Sequence, residues 1–249
     1  MNPTNIKHDV IVALDFPGKA ETLLFLDSFP REEKPFVKIG MELFYAEGPD
    51  IVREIKARGH RIFLDLKLHD IPNTVKRAMS VLSQLEVDMV NLHAAGAGEM
   101  MRAAIEGLTR SDGTRPLLIA VTQLTSTDEN ALKNELLIDR PMGETVMRYA
   151  MNAAANGLDG VVCSPLEAKL VKENCGEGFI TVTPGIRFAQ SDAGDQKRIM
   201  TPALAGRSGC DFIVVGRPIT RAEDPVEAYR RAVRDFKGIN EEERYEYRY

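Results

Sequence analysis

The sequence predicts an α/β protein, a (β/α)8 TIM barrel built as a single domain. Short β-rich apolar runs alternate with amphipathic segments eight times, the pattern of parallel strands joined by right-handed crossovers. The chain has 249 residues, and about 250 is usual for eight such units. Polar and charged side chains gather just past several of the runs, at the strand ends where barrels build their sites.

The elements follow in order. Strands are expected at 10–15 (VIVALD), 35–39 (PFVKI), 61–67, 88–92 (DMVNL), 117–122 (LLIAVT), 160–163 (GVVC), 179–183 (FITVT) and 212–215 (FIVV). Their β-branched content and their length of four to seven residues suit buried strands. Helices are expected at about 19–29, 48–58, 72–86, 98–109, 143–156, 165–174, 201–208 and 224–236. In the third, Val75, Met79, Leu82 and Leu85 recur at three and four, which places them on one helical face. Ile71-Pro72 stops the strand before it, and Pro72 suits a first helical turn. A doubly wound open sheet is the alternative. It usually carries a glycine-rich turn after the first strand, and here that turn is Asp15-Phe16-Pro17-Gly18. No linker or low-complexity segment divides the chain, so one domain is expected over 1–249, with 238–249 a charged aromatic tail.

Composition narrows the function. The net charge of −5 argues against a general nucleic-acid binder. No apolar run approaches ~18 residues, so no membrane helix is expected. The start, MNPTNIKHDVIVALD, lacks the long apolar centre of a signal peptide. Cys163, Cys175 and Cys210 are widely spaced and form no CxxC pair. A reduced, cytoplasmic protein is expected. His8, His60, His69 and His93 show no metal-ligand spacing, so no metal is expected. His60 is read as exposed and His93 as a hydrogen-bonded strand-end residue. Met79, Met100, Met101, Met147 and Met151 are read as core filler.

Residues 61–74, RIFLDLKLHDIPNT, carry the strongest signal. Ile62, Leu64, Leu66 and Leu68 share one face, and Phe63, Asp65 and Lys67 the other. A carboxylate and an ammonium on one face of a buried strand are costly unless paired. Asp70 follows three residues later. Asp15 ends strand one and Lys38 lies near the end of strand two. Lys38, Asp65, Lys67 and Asp70 are expected to form a chain of alternating sign, each lysine between two carboxylates and so held protonated. That makes Lys67 a proton donor rather than the low-pKa lysine of a Schiff-base aldolase. Asn91 and His93 end strand four, and Thr122 and Thr125 follow strand five.

A phosphate site is the second signal. In VVGRPIT, Gly216 lets backbone approach a ligand and Arg217 presents a fixed cationic fork. The loop after strand seven, PGIRFAQSDAGDQKRI, reads as a lid over 185–198 with Gly185 and Gly194 as hinges. Pro184 opens it. Arg187, Gln196 and Arg198 could meet an anion, although Arg198 taken alone reads as a solvated surface residue.

These residues resemble the orotidine 5′-phosphate decarboxylase family. Asp65-Leu-Lys67-Leu-His-Asp70-Ile71-Pro72-Asn-Thr74 is similar to its signature, and the likeness continues through ALD, VKIG, LTS, TPGIR, GDQKR and VVGR. DxKxxD by itself is shared with related sugar-phosphate barrels. The resemblance implies decarboxylation of orotidine 5′-phosphate to uridine 5′-phosphate, with no metal and no organic cofactor. It implies that Lys67 protonates C6 of the pyrimidine, and that Asp65 lies beside the substrate carboxylate. It implies a homodimer in which Asp70 enters the neighbouring subunit's site. Asp15 and Lys38 would hold the ribose hydroxyls. Ile71, Thr74, Thr125, Pro184 and Arg187 would touch substrate, and Gln196, Gly216 and Arg217 would surround the phosphate. Two rivals remain. One is a magnesium-dependent 3-keto-gulonate 6-phosphate decarboxylase or hexulose-phosphate synthase, which would need a carboxylate where Lys38 stands. The other is a non-catalytic phosphosugar-binding module.

Overall fold

Period-two alternation decides what fills the barrel. In the computed structural model, which describes residues 8–188 and 200–238, eight parallel strands close in sequence order, with β1 beside β8. They are β1 Asp9–Ala13, β2 Phe36–Gly40, β3 Ile62–Leu68, β4 Met89–His93, β5 Leu117–Val121, β6 Gly160–Val162, β7 Ile180–Thr183 and β8 Phe212–Val215. The helices are α1 Lys19–Asp27, α2 Met41–Glu47, α3 Pro49–Ala57, α4 Pro72–Ser83, α5 Ala97–Leu108, α6 Glu129–Asn134, α7 Met142–Ala155, α8 Ala168–Cys175, α9 Pro202–Arg207, α10 Arg217–Thr220 and α11 Pro225–Lys237.

Two apolar layers result. Outward residues such as Val12, Val37, Ile39, Leu64, Val90 and Leu92 pack under the helices, with Val75, Met79 and Met101 among their partners. Inward residues Ile11, Phe36, Phe63, Met89, Ile119, Val182 and Phe212 plug the lower barrel. The Phe36 and Phe212 rings meet edge to face at 6.0 Å. Two residues further along each strand, the inward position rises one layer. From Phe36 it becomes Lys38, from Phe63 Asp65, and from Met89 Asn91. The apolar plug therefore supports a polar ring.

The eight expected units are present, with shifts of a few residues at their ends. Three helices were not expected: α2, α6 and α10. Each has seven residues or fewer, too short to display a helical period. His60 is 2 % exposed rather than on the surface. Its Nδ1 lies 3.0 Å from the Pro35 carbonyl, which can only accept, so Nδ1 carries the proton. Burial, the largest influence, holds the His60 pKa below its usual value. Met79, Met100 and Met101 are core, but Met151 is 44 % exposed. Among the described residues no helix is long and apolar enough to cross a membrane. The tail from residue 239 lies outside the described residues.

Candidate active site

At the C-terminal mouth of the barrel, β1, β2 and β3 bring four charges into one line. Lys38 Nζ lies 3.1 Å from Asp15 Oδ1 and 3.4 Å from Asp65 Oδ2. Asp65 Oδ1 accepts from Lys67 Nζ at 2.7 Å. The signs alternate as Asp15, Lys38, Asp65, Lys67. Exposure is graded along the line: the Asp15 side chain is 60 % exposed, Lys67 25 %, and Lys38 and Asp65 about a tenth. Gly40 makes room for it, because a Cβ there would come 2.9 Å from Lys38 Nζ.

Burial and pairing oppose one another at both inner groups. Burial by itself pushes the Asp65 carboxyl up. Lys38 and Lys67, with hydrogen bonds from Lys67 and Asn91, outweigh it and hold the group below the usual carboxylate range. Burial likewise pushes Lys38 down, and Asp65 and Asp15 outweigh it, so its pKa is raised. Both stay charged in a pocket that would neutralise either one alone. Of the two lysines in the line, Lys67 is the more accessible.

The backbone at Lys67 is unusual. Its φ is +52°, a left-handed conformation that costs a lysine about 1 kcal/mol. The cause is a slip in pairing. Leu64 aligns with Val90 and Leu68 with Leu92, so β3 advances four residues while β4 advances two. The slip ends the simple alternation after Asp65 and turns Lys67 over that carboxylate.

Asp70 departs from the expected chain of charges. It is exposed on the loop before α4, and its carboxylate accepts from the Ile71 N–H at 2.7 Å. Among the described residues it makes no ion pair within one chain, so Lys67 has one carboxylate partner there, not two. Ile71 is 67 % exposed and Thr74 is also exposed, on the first turn of α4.

The other expected residues line the same end. Thr125 is buried in the loop between β5 and α6. Thr183, at the end of β7, donates to the Phe212 carbonyl at 3.0 Å, so its hydroxyl serves the barrel wall. Pro184 is half-buried. Gly185 has φ +83°, which suits glycine. Arg187 is 9 % exposed and donates to the Ile186 carbonyl. The two ends of the loop are tied, because Arg187 N donates to Met200 O at 3.1 Å. Gln196, Arg198, Gly194 and the span of the expected lid from 189 lie outside the described residues. Gly216 faces Asp15 across the mouth: a Cβ there would lie 3.8 Å from Asp15 Oδ2. Arg217 begins α10 and is exposed.

Sequence reading noted Asn91 only as a strand end. It is 1 % exposed, and both ends of its amide are used. Oδ1 accepts from Lys67 N at 2.8 Å, and Nδ2 donates to Asp65 Oδ1 at 2.6 Å. An inward polar residue one layer above Met89 was the available signal. His93, half-buried, stacks obliquely on His69 at 5.6 Å. Burial first, then His69 and Lys67, hold its pKa below the usual histidine value. Among the described residues no three His, Cys, Asp or Glu side chains are grouped to hold a metal. A cavity of about 440 Å³ lies at the other end of the barrel, against Leu117, Asp159, Phe179 and Asp211. It is remote from these charges and takes no part in their chemistry.

Residues 8–232 match the sequence model of the Orotidine 5′-phosphate decarboxylase / HUMPS family. The chain belongs to that family. It is 58 % identical over 231 residues to orotidine 5′-phosphate decarboxylase of Geobacillus sp. (strain WCH70), covering 92 % of this chain and 96 % of the relative. The Bacillus cereus (strain Q1) protein of the same name is 55 % identical over 237 residues, covering 94 % and 99 %. Among solved structures, orotidine 5′-phosphate decarboxylase from Lactobacillus acidophilus is 42 % identical with a TM-score of 0.83, covering 92 % and 99 %. An uncharacterized conserved protein from Geobacillus kaustophilus is 52 % identical with a TM-score of 0.81, covering 92 % and 100 %. Family membership gives the line of charges a chemical context: a barrel mouth in which one accessible ammonium is held against a buried carboxylate.

Proposed function

We propose that this protein decarboxylates orotidine 5′-phosphate to uridine 5′-phosphate in pyrimidine biosynthesis, without metal or organic cofactor. The observation that carries the reading is the Asp15–Lys38–Asp65–Lys67 line at the barrel mouth of a chain in this family. Loss of carbon dioxide leaves an electron pair on C6 with no adjacent group to absorb it. An ammonium fixed beside C6 stabilises that pair and then donates its proton to it. Lys67 takes this role, and uridine 5′-phosphate is the product. Asp65 lies where the departing carboxylate would meet a like charge, while Lys38 and Asp15 reach the ribose hydroxyls. Ile71, Thr74, Thr125, Pro184 and Arg187 contact substrate. Gln196, Gly216 and Arg217 hold the phosphate, whose binding energy serves the reaction at the remote C6 as well as affinity.

Lys38 also weighs against a magnesium-dependent sugar-phosphate enzyme. It stands where that chemistry needs a carboxylate, and an ammonium is no ligand for a hard cation. The deciding assay follows the ultraviolet band of orotidine 5′-phosphate in excess EDTA, wild type beside Lys67→Ala. Rapid loss with wild type and none with the variant is expected. An inert wild type that turns over ketose phosphates with magnesium would replace this reading, and tight binding of orotidine 5′-phosphate without turnover would favour a binding module.

The protein works as a cytoplasmic homodimer in this reading, and Asp70 completes the partner's line of charges. Support comes from Asp70 itself, a carboxylate at the mouth with no cation within its own chain among the described residues. The exposed Ile71 beside it offers apolar surface to a second copy. Among the described residues Cys163, Cys175 and Cys210 form no disulfide, as in a reducing compartment. Mixing inactive Lys67→Ala with inactive Asp70→Asn tests the dimer. A shared site regains about a quarter of wild-type activity through hybrids with one intact site, by random pairing. No recovery after subunit exchange would assign Asp70 to its own chain.

A further inference from the structure

We infer that Asn91 is a positioning residue for the reaction: one buried amide sets both the carboxylate of Asp65 and the backbone that aims Lys67. This inference rests on the catalytic roles proposed above for Lys67 and Asp65.

Asn91 stands on β4, one layer above the apolar plug, and is 1 % exposed. The Lys67 N–H can only donate, and it lies 2.8 Å from Oδ1. The Asp65 carboxylate can only accept, and its Oδ1 lies 2.6 Å from Nδ2. The amide is therefore fixed in one orientation by a donor on one side and an acceptor on the other. Asparagine supplies the acceptor and the donor on two separate atoms of one short side chain. The Lys67 bond matters because of the slip between β3 and β4. It places Lys67 at φ +52°, and the side chain from β4 satisfies the N–H at that turn. The Asp65 bond matters because Oδ1 is the same oxygen that Lys67 Nζ holds at 2.7 Å. Asn91 thus fixes the start and the end of the loop of atoms that runs from the Lys67 backbone through its ammonium to Asp65.

A residue that only filled space would affect folding alone. A positioning residue affects kcat, because a misplaced donor loses most of its value in the transition state. It also affects how Asp65 titrates. Asp65 faces Lys38 from β2, with Asp15 behind it, Lys67 on its own strand, and Asn91 and His93 from β4. The amide N–H stabilises the ionised form, so its loss moves the Asp65 titration to higher pH.

Two variants test this, each with kcat, KM, a pH profile and a melting curve, beside Lys67→Ala. Asn91→Ala should lower kcat by about 10- to 100-fold with KM changed less than about threefold, and should shift the acid limb of kcat/KM to higher pH. Asn91→Asp keeps the shape and the acceptor for Lys67 N–H but replaces the donor with a carboxylate. It should fold, lose activity at neutral pH, and regain part of it at lower pH, where the protonated new carboxyl can donate to Asp65 again. If Asn91→Asp folds and matches the wild type in kcat and pH profile, Asn91 is structural and the inference is wrong. If Lys67→Ala keeps full activity, the underlying reading fails instead, whatever the Asn91 variants do.

Discussion

At the N-terminal end of the barrel, Asp88, Asp159 and Asp211 each stand just before a strand and each accept a backbone N–H from its neighbour. Asp88 Oδ2 takes Ile62 N at 2.8 Å, Asp159 Oδ2 takes Leu118 N at 2.7 Å, and Asp211 Oδ2 takes Thr181 N at 2.8 Å. A cation completes each: Lys56, Arg115 and Lys172. Their own carbonyls accept from Leu117, Ile180 and Asp9, so each aspartate ties three adjacent strands. At the C-terminal end the partners of Asp65 among the described residues are side chains, those of Lys67, Asn91 and Lys38. Both ends hold buried charge. At the lower end it is anchored to backbone that cannot move without opening the barrel. At the upper end it is anchored to side chains whose tips remain near an open mouth. The kind of partner, not burial alone, separates a structural charge from one available for chemistry.

The sharpest test of this contrast is to remove one charge at each end. Lys67→Ala should lower kcat by about 10⁴-fold while the melting temperature changes little, since Lys38 and Asn91 still hold the Asp65 carboxylate. A large fall in melting temperature would mean that the upper line is structural too. Arg217→Ala comes next, with kcat/KM down by about 10²- to 10³-fold and partial recovery on adding guanidinium, read by the same absorbance assay. Asp211→Asn should do the reverse. It leaves the Lys172 ammonium, 7 % exposed, without its counter-charge, at a cost of about 3 kcal/mol. That is a fall of about 10 °C in melting temperature with kcat unchanged. A loss of kcat equal to that of Lys67→Ala would erase the distinction.

Acid sharpens it further. The folded-state pKa of Asp65 is lowered, so the unfolded chain binds more protons as pH falls below the ordinary carboxylate value of about 4. Its contribution is complete above that value and is lost as pH falls through the lowered pKa. Asp65→Asn should flatten the pH dependence of stability in that window, and an unchanged slope in urea titrations there would contradict the assigned direction. The smallest effect compares two left-handed residues. Glu86 has φ +54° at the lower end and is exposed, with no site around it. Glu86→Asn should add about 0.5 kcal/mol, or one to two degrees (~1–2 °C) in melting temperature, with activity unchanged. At Lys67 the same strain holds a side chain over Asp65, and no such gain without loss of activity is available there.

The sequence was legible where the backbone imposes a period. Alternation along 61–67 put Phe63 and Asp65 on one face, and three-four spacing put Val75, Met79 and Leu82 on one face of α4, and both faces are buried in the structure. It was not legible for α2, α6 and α10, which are too short for a period, nor for His60, whose burial is set by the Pro35 carbonyl 25 residues away. Nor did Asp88, Asp159 and Asp211 announce themselves, since each is an ordinary aspartate until its neighbouring strand supplies an N–H.

By itself the sequence determined the barrel, the alternation that sets Phe63 and Asp65 on one face of β3, and the charged residues at the strand ends, because strand and helix periods follow from local backbone geometry. Only the tertiary structure decided how those residues meet. The slip between β3 and β4 turned Lys67 onto Asp65, brought Asn91 between them, and left Asp70 outside. Strand register is a relation between distant segments, fixed by the packing of the whole barrel, and no single segment contains it.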